Sequence, residues 1–358
     1  MKKTILLSLL LISYSAFTYS QSFESFADSV RIAYGIPELN YAIVKSDSII
    51  EMKALGSKKH LGPLNADLKD RFRLGSNTKP ITSYIAAVTV QKGLIKWDTK
   101  FFDLYPELKK KSNKAYYEFT LADFTCLQAN LVRWTYTNSK PKQRQIKGNE
   151  KQQQLEFVKW ILKQKPIKEK KSYYFSNPSY GIVALMLEKA TGKDFNQLVM
   201  DLGNELAVNF QFGQPNYKDT NQTWGHDYNS IPENPSYNYK LNWLNAAGNI
   251  NMTLPDYAKF IQMQLDGLRG NSTFLTKEDF NQMHYGLPVF SYGWKWFDDA
   301  PGNEKYSYHI GNPGTFLTAV YLCRDLDIAY IFFMNIQSEM AENAKSVLFQ
   351  ELNKKYSR

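Results

Sequence analysis

The 358-residue chain is poor in the residues that build metal centres and disulfide frameworks. It has two cysteines, Cys126 and Cys323, about 200 residues apart, and four histidines, His60, His226, His284 and His309. None of these shows the spacing of a zinc site, so neither a metal nor another cofactor is expected. An exported protein can oxidise its thiols, but a chain of this size has core enough without a staple, and two buried free thiols are the expected state. No internal repeat of solenoid length occurs, and the 19 glycines and 14 prolines follow no period, which excludes collagen-like and repeat architectures. Long apolar runs are also missing. The longest, Ile5 to Ile12, falls far short of the roughly 20 residues that span a bilayer.

That short run has a different reading. Lys2 and Lys3 precede it, and small and polar residues follow through Ser20. The pattern is that of an export signal spanning residues 1–20 and cleaved near Gln21, with a periplasmic or secreted destination. No cysteine lies near the cleavage point, which speaks against a lipid anchor.

What is present is a globular composition: 43% hydrophobic, 22% charged and 15% aromatic, with 24 Tyr and 22 Phe. Acidic residues are outnumbered, for a formal charge of +10, or +8 once residues 1–20 are removed. Residues 140–171 hold 11 basic and three acidic residues, so this one segment accounts for the whole excess. A nucleic-acid binder is one reading of this basicity, but export argues against it. A solvated helical face with loose flanks is the plain reading of 140–171, and contact with an anionic envelope surface is the other.

Alternating and helical patterns place the elements. Leu39 to Val44, a polar turn, and Ile49-Ile50 read as a hairpin. Lys79 to Gly93, Leu155 to Leu162, Tyr180 to Ala190, Asp256 to Leu268 and Met340 to Leu352 read as helices. Thr318 to Cys323 and Ile328 to Met334 read as two buried strands joined by a turn. The expected fold is α+β: an antiparallel sheet flanked by helices, built from both chain ends, with an inserted all-α domain. Residues 21–90 and 240–358 form the α/β part of the domain 21–358, residues 91–239 the mainly helical part, and the cleft between them is the natural place for a site.

Ser76 and Lys79 offer the clearest chemistry. At three residues' separation near a helix start they share one face. A hydroxyl there sits in a field that favours an alkoxide, and a desolvated lysine can act as base. Ser-x-x-Lys is a common pattern, however, and recurs at Ser139 to Lys142.

The stretch Phe72 to Lys79 resembles the nucleophile motif of the serine β-lactamase and penicillin-binding-protein superfamily, in the branch of class C β-lactamases, related esterases and D-aminopeptidases. The resemblance continues in order through Tyr41-Ala42-Ile43-Val44, Phe175-Ser176-Asn177, Ala246-Ala247-Gly248-Asn249, Ser291-Tyr292-Gly293-Trp294 and His309-Ile310-Gly311-Asn312. It covers about residues 35–350. It implies that Ser76 is acylated, that Lys79 is its base, and that Asn177 binds Lys79 and a substrate amide. It further implies that His309 lines the cleft on the edge strand as a donor, and that Gly311 and Asn312 belong to the substrate-binding set. The backbone N–H groups of Ser76 and Asn312 then form an oxyanion hole, worth about 3 kcal/mol per donor. Read without the resemblance, Asn177 is a helix cap and His309 a structural strand residue.

The sequence also departs from the pattern. The family's second motif begins with a Tyr hydroxyl, and here that position is Phe175. Leu127, Ala129 and Asn130 replace the usual His-x-Ser-Gly stretch, and Lys168 to Lys171 stand where Pro-Gly is common. Two functions follow as expectations. One is a monomeric, exported serine hydrolase acting on an amide or ester, with a D-amino peptide or small ester favoured over a β-lactam. The other is a catalytically impaired relative serving as a binding or envelope-scaffold module.

Overall fold

The computed structural model describes residues 22–168, 170–236, 239–299 and 304–357; the export signal expected at residues 1–20 lies outside them. Two sheets organise the chain. Six antiparallel strands, β1 (Glu38–Val44), β2 (Ile49–Gly56), β6 (Lys295–Asp298), β7 (Lys305–Gly311), β8 (Leu317–Cys323) and β9 (Ile328–Met334), lie in the order β2-β1-β9-β8-β7-β6. A small second sheet joins β3 (Arg71–Arg73), β4 (Gln211–Phe212) and β5 (Ile250–Thr253) in the order β3-β5-β4.

The eight longer helices are α1 (Phe23–Ala33), α2 (Thr78–Gln91), α3 (Glu150–Ile161), α4 (Asn177–Thr191), α5 (Phe195–Leu206), α6 (Leu254–Arg269), α7 (Lys277–Tyr285) and α8 (Glu339–Tyr356). Among the described residues no helix is long and apolar enough to cross a membrane.

The main sheet is covered on both faces, which is why β8 and β9 are apolar throughout rather than alternating. Ala329, Ile331 and Phe333 of β9 face the helix-rich side, while Tyr330, Phe332 and Met334 face α1 and α8. The N-terminal strand β1 pairs with β9 from Leu39↔Met334 to Val44↔Ala329, so the sheet is assembled from both chain ends as expected. Cys126 belongs to the helix-side core and Cys323 to the opposite one; both are buried and free.

The stretch between α2 and β5 is helical in α3 to α5, but its first 50 or so residues are mostly short turns, and β4 adds a two-residue strand that periodicity cannot reveal. The basic segment is built around α3. Its lysines and Arg144 are exposed, except for half-buried Lys159, which pairs with Glu156 at 2.6 Å.

Candidate active site

Gly75 makes the first move. Its φ of +53° turns the chain out of β3 into a short turn, Gly75–Asn77, that leads into α2. A side chain on Gly75 would begin 2.8 Å from the Asn312 nitrogen, and one on Gly311 would begin 1.9 Å from the Leu74 carbonyl. Glycine at both positions lets the turn carrying Ser76 lie directly against the end of β7. The Thr318 hydroxyl fastens the contact: it donates to the Leu74 carbonyl at 2.8 Å and accepts from Asn77 at 2.8 Å. The backbone around Ser76 and that around Asn312 are thereby brought together, as an oxyanion hole requires.

Lys79 sits in the first turn of α2, with no exposed surface. Its Nζ lies 2.9 Å from Ser76 Oγ, 2.9 Å from Asn177 Oδ1 and 2.8 Å from the Ala247 carbonyl oxygen. Among the described residues no carboxylate compensates it, and burial lowers its pKa from the ordinary 10.5 to about 7. The partners then assign its hydrogens. A neutral amine has two N–H groups and one lone pair. The Asn177 and Ala247 oxygens can only accept and take the two hydrogens, which leaves the lone pair for the Ser76 hydroxyl.

Asn177 opens α4, but its side chain does not cap the helix. Nδ2 donates to the Trp134 carbonyl at 3.1 Å while Oδ1 receives Lys79. Ser176 turns away to donate to the Val132 carbonyl at 3.1 Å. The Phe175 ring lies 5.0 Å from Lys79 Nζ. Among the described residues Lys79 is the one side chain hydrogen-bonded to Ser76 Oγ. Among the described residues no tyrosine hydroxyl hydrogen-bonds Ser76 Oγ: Tyr180 is held by Ser83 and the Thr125 carbonyl, and Tyr173 stacks on Phe290 at 5.9 Å.

His309 is 2% exposed and lines the cleft. Its place on β7 is not quite the expected edge. β6 is the outer strand, but it pairs with β7 only from Lys305 to Tyr308, so it leaves the backbone of His309 to Gly311 open toward the cleft. Nδ1 lies 3.1 Å from the Ile310 carbonyl, which can only accept, so Nδ1 carries the proton and Nε2 presents an unpartnered lone pair. Burial, then the charges of Lys79 and Lys295, hold the ring well below its ordinary pKa. As it stands, the imidazole accepts rather than donates. The donor role expected from the sequence requires a protonation that this environment opposes.

The cleft encloses about 460 Å³ and is lined by Ser76, Phe175, Asn177, His309 and Asn312, with Tyr136 and Lys295 added by the structure. Tyr136 reaches from the helical side to donate to the Pro313 carbonyl at 2.6 Å, in space left by Gly314, where a side chain would begin 2.1 Å from the hydroxyl. Behind this loop, buried Arg73 lies 3.4 Å from the same carbonyl and 3.7 Å from Glu233. The second Ser-x-x-Lys copy, Ser139 to Lys142, lies on an exposed loop.

Three contributors escaped the sequence. Ala247 belongs to a recognised motif, but a backbone acceptor has no residue signature. Tyr136 and Lys295 matter through contacts with residues far away in the chain. Among the described residues no group of three or more His, Cys, Asp and Glu could hold a metal ion.

A serine on the turn that leads into α2 and a buried lysine in the first turn of that helix, 2.9 Å apart, form a pair suited to a serine hydrolase-like acyl transferase. The Beta-lactamase family model matches residues 22–351, and the chain belongs to that family. Among solved structures, the octameric penicillin-binding protein homologue from Pyrococcus abyssi shares the fold, with a TM-score of 0.73 and 16% identity over 92% of this chain and 77% of that one. No curated protein sequence matches the chain.

Proposed function

We propose that the protein is an exported serine hydrolase that forms an acyl-enzyme at Ser76. The observation that carries this reading is the buried Lys79 amine, 2.9 Å from the Ser76 oxygen; in its neutral form the Asn177 and Ala247 carbonyl oxygens take its two hydrogens and the lone pair is left for the hydroxyl. In acylation the Ser76 oxygen bonds to the substrate carbonyl carbon, and its proton passes to Lys79. The carbonyl oxygen gains negative charge beside the Ser76 and Asn312 N–H groups. Lys79 then returns the proton to the departing alcohol or amine as the carbon–heteroatom bond breaks. Water completes hydrolysis by the reverse route. The open β7 backbone at His309 to Gly311 suits a peptide-like substrate that adds as a strand. A small ester or D-amino peptide fits this scheme better than a β-lactam.

Phe175 favours a second reading, a catalytically impaired protein that binds in the same cleft, because it removes a hydroxyl otherwise available for proton transfer. A fluorophosphonate probe decides between them, since it needs acylation chemistry but no turnover. The first reading predicts one covalent adduct, on Ser76, lost in Ser76→Ala. A folded protein that takes no label supports the second. Export predicts a mature N-terminus at Gln21, read by N-terminal sequencing.

A further inference from the structure

A second cavity is lined in part by the segment that also holds Lys79. The short helix Asn245–Gly248 gives its Ala247 carbonyl to the Lys79 amine, while its Asn245, and Asn249 just after it, line a separate space of about 640 Å³. None of the residues around this space lines the Ser76 cleft. Its volume lies in the range of small-ligand sites. A recess of about 150 Å³ adjoins it, since Glu150, Asn196, Asn242 and Asn245 line both, and Gln154 of α3 lines the recess.

The chemistry of these walls is uniform. Seven of the sixteen residues around the larger space are Asn or Gln. Three of those amides form a chain: Asn249 Nδ2 donates to Asn245 Oδ1 at 2.7 Å, and Asn245 Nδ2 donates to Asn196 Oδ1 at 3.2 Å. The chain runs from a buried residue to an exposed one. Its buried end is incomplete. Asn249 is 1% exposed and Gln154 6%, yet among the described residues Asn249 Oδ1 and Gln154 Nε2 have no hydrogen-bond partner. Buried amides are ordinarily satisfied, so an unmet acceptor and an unmet donor on the walls of one joined space call for a ligand that both donates and accepts. Hydroxyl groups do both. Phe212, half-buried, and Tyr217, exposed, add ring surface to the same cavity. The recess carries Glu150, Glu188 and Asp194 against Lys151, which disfavours an anionic ligand. A peptide bound as an added strand is disfavoured too, because β4 offers an edge of only two residues, Gln211–Phe212.

We infer that this cavity and its recess form a binding site for a neutral oligosaccharide, in which the amides of Asn196, Asn245, Asn249 and Gln154 meet the sugar hydroxyls and Phe212 and Tyr217 meet its C–H faces. The site goes beyond the acyl-transfer reading and does not depend on it.

The test is isothermal titration of the full mature chain with maltotriose, cellotriose and triacetylchitotriose, and with trialanine as the peptide comparison. Binding of at least one sugar is expected, weakened about tenfold by Asn249→Leu and by Gln154→Met, the scale of one buried hydrogen bond. Circular dichroism shows whether the variants fold, and if Asn249→Leu does not, Asn196→Ala on the surface replaces it with a loss in the same direction expected. Absence of binding by all three sugars overturns the inference, as does sugar binding that none of the folded variants weakens. Trialanine binding with that same dependence on the variants, in the absence of sugar binding, assigns the cavity to a peptide and overturns it as well. Labelling of Ser76 is read separately, so failure of the saccharide site leaves acyl transfer standing and failure of acyl transfer leaves the site standing.

Discussion

Phe175 is where the chemistry of single residues is most exposed to test. Its ring lies 5.0 Å from the Lys79 amine, so a hydroxyl added to it enters the neighbourhood where Ser76 exchanges its proton. Phe175→Tyr is expected to speed release of the acyl group by about tenfold or more, within the range one acid–base group supplies. Single-turnover kinetics on an ester read this directly, and an unchanged release rate removes Phe175 from the proton path. Tyr136 makes a different prediction. Its hydrogen bond to the Pro313 carbonyl fixes the loop that follows Asn312. Tyr136→Phe is expected to lower stability by about 1 kcal/mol, and to slow labelling of Ser76 more than it weakens probe binding. Urea melts and the dependence of labelling rate on probe concentration separate these effects; equal labelling rates would show that the bridge positions nothing.

Elements meet at this site through glycines. Gly311 leaves the Leu74 carbonyl room against β7, and a methyl group there would meet that backbone oxygen at 1.9 Å and the Thr318 hydroxyl oxygen at 2.5 Å. Gly311→Ala is expected to cost about 1–3 kcal/mol, the usual scale for overpacking, and to abolish labelling by parting Ser76 from Asn312. Retained labelling with normal stability would contradict the role given to this contact. The same elements show what can be read from sequence. The nucleophile turn, the start of α4 and the end of β7 each carry a short motif at an element boundary, where local backbone needs dictate residue type, and all three were legible. α4 begins three residues before its apolar periodicity does, because Asn177 and Pro178 occupy a first turn whose N–H groups have no helical partner. The small sheet was not legible: strands of two to four residues are too short to show a period. Leu127 and Asn130 replace residues of the usual motif, yet both adopt left-handed backbone, at φ of 55° and 50°. Asn130 suits that conformation and ties down the Lys170 carbonyl at 2.5 Å, a long-range contact that no local pattern announces.

The whole molecule is held by a sheet whose first two strands come from one end of the chain and whose remaining four come from the other. Apolar strands and paired helix layers made this architecture readable, because burial on both faces leaves β8 and β9 little choice of composition. Cys126 and Cys323 lie in cores on opposite sides of that sheet, and burial raises both thiols, Cys126 to about 12 and Cys323 to about 11. Reductant is therefore expected to leave the melting temperature unchanged; a fall of several degrees would reveal a disulfide. Global burial also sets the one titration on which acylation depends. Lys79 falls from 10.5 to about 7, so it accepts a proton above that pH and is blocked by its own proton below it. The most direct measurement is the rate of fluorophosphonate labelling of Ser76 between pH 5 and 11. The account predicts a rate that climbs with a midpoint near pH 7, levels off above it, and is lost in Lys79→Met. A flat profile, or a midpoint near that of a solvated lysine, would contradict it.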